Sequence, residues 1–178
     1  MTSYRPRTGR LVACLAAAAL AAGLAASAAT AAAAPASAAP CNASQLSGHL
    51  RQSSGAAGTI GLSFAFKNIS PATCALQGFP RLKLRNAAGP LPTRVRHGGL
   101  AILEHPALPV VLAPGKVASL LVTYSDVPTG AATSCPTATT LVVILRGGHG
   151  RLLVPATIGA CNRGLLRESP FLAGRRNV

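Results

Sequence analysis

Residues 59–67, TIGLSFAFK, alternate without a break: Ile60, Leu62, Phe64 and Phe66 share one face, and small or polar residues take the other. A period of two over nine positions is the signature of a half-buried β-strand. A weaker alternation over 46–52 precedes it, and Gly55-Ala56-Ala57-Gly58 between them predicts a hairpin. The same arrangement recurs downstream. Residues 139–146 (TTLVVILR) and 151–158 flank the turn Gly147-Gly148-His149-Gly150, and 141–145 is apolar on both faces, as a central sandwich strand should be. Between the hairpins, Leu82, Leu84 and Val95 alternate with cations around the turn 86–90, and 109–112 reads as a short strand. Ala113-Pro114-Gly115-Lys116 has turn chemistry, and 117–124 follows as a strand. Gly or Pro interrupts every candidate helix. The pattern predicts an all-β chain: an antiparallel immunoglobulin-like β-sandwich of about 7–9 short strands over residues 39–170. Residues 171–178, ending in AGRRNV, read as a flexible basic tail.

The first 38 residues follow another logic. Arg5, Arg7 and Arg10 precede a long Ala/Leu run, and Ala36-Ser37-Ala38 closes it in the A-x-A manner of a secretory signal peptide. Leu11-Val12-Ala13-Cys14 resembles a lipoprotein box, but it opens the apolar run where such a box should end it. The run is long enough to span a bilayer. Its weakly apolar alanines and its Pro- and Ser-containing end favour cleavage, which leaves no transmembrane segment and a secreted protein, one that the envelope can retain.

Export changes how the cysteines read. Cys41, Cys74, Cys135 and Cys161 remain after cleavage, an even number in an oxidising compartment, with no C-x-x-C pair for zinc. Folding each hairpin about its turn sets Cys41 opposite position 72 and Cys135 opposite 162. The register therefore predicts the bridges Cys41–Cys74 and Cys135–Cys161, each closing the open end of a hairpin. Each is worth about 3.5 kcal/mol by loop-closure entropy.

Charge narrows the classes of partner. The chain has 17 Lys and Arg against three acids; without Arg5, Arg7 and Arg10, 14 cations face Glu104, Asp126 and Glu168, a net charge of +11. The basic residues concentrate in PRLKLRNAAGPLPTRVRH, residues 80–97. A hairpin there would put Arg85 opposite Arg94 and Lys83 opposite Arg96, with Arg81 in the same row. Opposed like charges cost stability. An anionic partner would relieve that cost, and so would salt and water, so the row is either an anion-binding patch or a solvated face. Few aromatics accompany the cations, which disfavours nucleic acid. An anionic envelope polymer, a lipid headgroup or a protein partner fits better.

Catalytic motifs are missing. The three acids lie on different segments, unlike a hydrolytic carboxylate pair, and there is no G-x-S-x-G elbow. A cupredoxin-like copper site would need a free Cys and a Met, and the initiator is the sole Met. His97 and His105 are at most a weak chelating pair. The expectation is a non-enzymatic binding module without a cofactor. The alternatives are a purely structural envelope or matrix protein and, less favoured, an uncharacterised enzyme. Nothing in the chain signals its oligomeric state.

Some residues carry a resemblance. Asn68-Ile69-Ser70 before Cys74-Ala75-Leu76-Gln77-Gly78-Phe79-Pro80 resembles the N-x-S…C-x-L-x-G-[YF]-P signature of domain of unknown function 4232. Leu112-Ala113-Pro114-Gly115 with Ala118, the turn 55–58, and Cys135 and Cys161 are also similar to that family. The likeness runs from Cys41 to about Pro170. It implies an exported actinobacterial protein with an immunoglobulin-like sandwich and implies no activity. Arg81, Lys83, Arg85, Arg94 and Arg96 lie outside the signature and inherit no role from it.

Overall fold

The computed structural model describes residues 38–130 and 134–178; the expected signal peptide, with Cys14, lies outside them. The strict alternation of 59–67 becomes β2 (Thr59–Asn68), paired antiparallel with β1 (Leu46–Ala56). The turn is tighter than expected. Ala57 and Gly58 alone make it, with φ of 47° and 73°, so both strands run on to Ala56 and Thr59. Two consecutive left-handed residues match the twist of the strands they join.

The remaining strands among the described residues are β3 (Cys74–Leu76), β4 (Arg81–Asn86), β5 (Gly89–Leu91), β6 (Arg94–His97), β7 (Val110–Leu112), β8 (Val117–Ser125), β9 (Ala138–Ile144), β10 (Arg151–Ile158), β11 (Leu165–Glu168) and β12 (Leu172–Ala173). They form one sheet in the order β1-β2-β8-β11-β6, with β12 also on β8, and a second in the order β10-β9-β4-β5. β3 and β7 pair separately. The protein is thus an all-β sandwich. Among these strands pairing is antiparallel except between β6 and β11, which run parallel.

One core lies between the two sheets. Leu62, Phe64 and Phe66 of β2 meet Leu120 and Val122 of β8 on one side. Leu82, Leu84, Leu141, Val143 and Val154 come from the other sheet. Both disulfides form as the register predicts, with Cα–Cα distances of 4.8 Å for Cys41–Cys74 and 4.7 Å for Cys135–Cys161. Beside the first bridge, buried Asn68 ties two loops together. Its Nδ2 donates to the carbonyls of Ala72 and Leu112, both at 2.8 Å, and its Oδ1 accepts from Ser70 N–H and Oγ.

Two expectations need correction. The proposed hairpin between residues 80–85 and 93–96 does not form: β4 pairs with β9 and β5, whereas β6 belongs to the opposite sheet. Nor is the segment 171–178 a flexible tail. Phe171 is 1% exposed and packs edge-on against Phe66 at 5.5 Å, and β12 pairs with β8. Ser119 Oγ donates to Gly174 O and accepts from Arg176 N–H. Val178 then packs with Leu103, Leu121 and Leu172 on the outer face of the first sheet. Without this segment β8 would present Leu121 to water.

Phe171→Ala is therefore expected to lower unfolding free energy by about 3–5 kcal/mol, the cost of emptying a buried phenylalanine site. Urea denaturation measures it. A frayed tail would lose less than about 0.5 kcal/mol.

Candidate functional site

The alternation of β4 buries Leu82 and Leu84 and turns Arg81, Lys83 and Arg85 to solvent. The ladder to β9 sets these cations beside Ile144, Val142 and Thr140, and β10 adds Arg151, Leu153 and Pro155 in the same rows. The outer face of the second sheet thus has basic residues at its sides and apolar ones between, with Leu153 53% exposed. A groove of about 340 Å³ follows this surface, lined by Lys83, Arg85, Val142, Ile144, Arg151 and Leu153. Among the described residues no Lys or Arg is ion-paired to a carboxylate. These cations are solvated, unneutralised charges.

Arg94 and Arg96 do not join them. They sit on β6, in the opposite sheet, and Val95 between them packs on the core. The like-charge opposition that the basic stretch predicted does occur, but elsewhere: Arg96 stands in register with Arg167 of β11. The five-residue patch is therefore three residues on one sheet and two on the other, and Arg151 replaces the missing pair.

A second arrangement lies outside the residues that the basic stretch singled out. Because β5 covers β4 only from Leu84 onward, the edge at residues 81–83 faces β6 and β11 across a cleft of about 310 Å³. Glu168 of β11 lines that cleft with its side chain fully buried. Neither carboxyl oxygen makes a hydrogen bond, and the nearest partner is His97 Nε2, 3.3 Å from Oε1. Burial pushes the Glu168 carboxyl up to about 8, because a desolvated carboxylate without donors favours its neutral form. The His97 ring stacks on Phe79, with centroids 3.9 Å apart and planes 5° from parallel.

His97 thus faces a buried carboxyl group, and His105 instead contacts the Ile102 carbonyl at 3.2 Å. Among the described residues, no three His, Cys, Asp or Glu gather at a metal-sized site. Sequence alternation did hold a hint of the cleft. Leu166 faces the core, so Glu168, two positions on, had to face inward as well.

Comparison with known proteins adds a family and nothing beyond it. The family model described as domain of unknown function (DUF4232) matches residues 41–171, and the chain belongs to that family. No curated protein and no solved structure matches. No helix among the described residues is long and apolar enough to cross a membrane. The two cysteine bridges are consistent with an extracellular protein.

Glu168 imposes a pH dependence on stability. Between about 4.5 and 8 the folded chain keeps this proton and the unfolded chain has released it, so the unfolded state binds fewer protons. Its stabilising contribution is full below pH 4.5 and is lost as pH rises through about 8. The loss reaches about 5 kcal/mol at most. Urea midpoints of Glu168→Gln should fall less over this range than those of the wild type, with the variant the more stable at pH 8.5. Parallel pH profiles would contradict the assignment.

Proposed function

We propose that this member of the DUF4232 family is an exported, non-enzymatic binding module that engages an anionic envelope component on the outer face of its four-stranded sheet. The observation that carries this reading is the row Arg81, Lys83 and Arg85 on β4. It is held at a two-residue repeat, with Arg151 two strands away, and no carboxylate opposes it. A rigid sheet fixes the spacing of these charges, so little ordering entropy is lost when a polyanion binds. The net charge of +11 after signal removal steers anions toward the domain. The signal-like N-terminus and the paired cysteines support export. The absence of a nucleophile motif or of a paired-carboxylate arrangement in the sequence supports binding over catalysis.

The wild-type protein should be retained on isolated envelopes and released by salt. Replacing Arg81, Lys83, Arg85 and Arg151 with Ser should abolish most retention at about 0.15 M salt, where the Debye length is about 8 Å. Replacing Arg94 and Arg96 should leave retention nearly unchanged. Equal retention of all three proteins would favour a structural protein without a specific ligand.

A further inference from the structure

The cleft at Glu168 asks for a ligand of different character. A fully buried carboxyl group with neither oxygen hydrogen-bonded is costly, because it has given up water and gained no hydrogen bond in return. The pocket beside it, about 310 Å³, has room for a molecule of a few carbons. Its walls are the β4 edge, with Arg81 and Lys83, and, facing it, Thr93 with Val95 and His97 of β6. Neither cation bridges Glu168; its carboxyl is desolvated, with His97 Nε2 at 3.3 Å as its polar neighbour, and burial favours the neutral form.

A neutral carboxylic acid is a hydrogen-bond donor, and its natural partner is an oxyanion. The bond between an acid and a carboxylate is charge-assisted and short. A cationic ligand would have to force Glu168 to ionise and to approach between Arg81 and Lys83. We propose that the cleft between β4 and β6 binds a small organic carboxylate, with Glu168 donating its proton's hydrogen bond and His97 flanking the same anion. Phe79 fixes the imidazole plane by stacking on it, so the second group is already oriented. Arg81 and Lys83 border both this cleft and the outer-face row, but the cleft's hydrogen-bonding pair, buried Glu168 and half-exposed His97, belongs to the opposite sheet.

The groups around Glu168 set the pH response. His97 faces it from β6, and Arg81 and Lys83 line the β4 wall. β8 presents Val122 in register with it, and Arg167 alternates to the opposite face, against Gly99. Glu104 lies beside Gly98 and accepts from Gly99 N–H at 2.7 Å. Above about pH 8 the Glu168 proton is lost, and the donor becomes a repelling charge.

The test is a titration of the purified protein with acetate, succinate, inorganic phosphate and methylammonium, following the backbone amide resonances of residues 95 and 168, which line the cleft in every variant, at pH 6 to 9. Acetate and succinate should give saturable shifts, with affinity falling about tenfold per pH unit above about 8. Glu168→Gln, whose amide is also a donor, should bind within about threefold of wild type at pH 6 and lose the pH dependence. His97→Ala should weaken binding with the fold intact. Absence of a saturable shift with either carboxylate at pH 6 overturns the proposal, as does binding of phosphate alone. Methylammonium binding that strengthens above pH 8 would reverse the sign of the ligand.

Discussion

The chain changes sheets between Leu91 and Arg94, and the rest of the arrangement depends on that crossing. Pro92 has no N–H with which to continue a ladder beside β4. Thr93 fills the gap: its hydroxyl accepts from Leu84 N–H at 2.8 Å and donates to Leu91 O at 3.0 Å. The turn Cys161–Gly164 then closes on the crossing from the other side. A Cβ on Gly164 would lie 1.9 Å from Pro92 O, so only glycine permits this approach. The same turn carries Cys161, bridged to Cys135, and leads directly into β11. β6 therefore meets β11 in parallel, a pairing that no local turn could make.

Both candidate sites follow from this one crossing. Because β6 leaves, β4 keeps its outward cations on one sheet and exposes its edge at residues 81–83. Because β6 arrives beside β11, His97 comes within 3.3 Å of Glu168. An ordinary hairpin would have aligned five cations in one row and left Glu168 without a histidine.

What could be read in advance follows the range of the interactions. The two long hairpins were legible because alternation and an adjacent turn fix them locally. Their registers carried the disulfide pairing with them. The sheet change was not legible, since Leu82, Leu84 and Val95 alternate alike whether or not their strands pair. In the sequence Glu168 is one of three scattered acids, because burial is a property of neighbours drawn from other strands. The closing segment was misread through its basic end, although Phe171-Leu172 was an apolar signal that a strand on β8 would use.

Backbone nuclear Overhauser contacts test the crossing most directly. Inter-strand contacts are expected to link Val95 with Leu166 and Arg96 with Arg167, and others to link Lys83 with Val142. None is expected between Lys83 and Arg96. Cross-strand contacts of Lys83 with Arg96 and of Arg85 with Arg94 would contradict the crossing, and with it the cleft between β4 and β6.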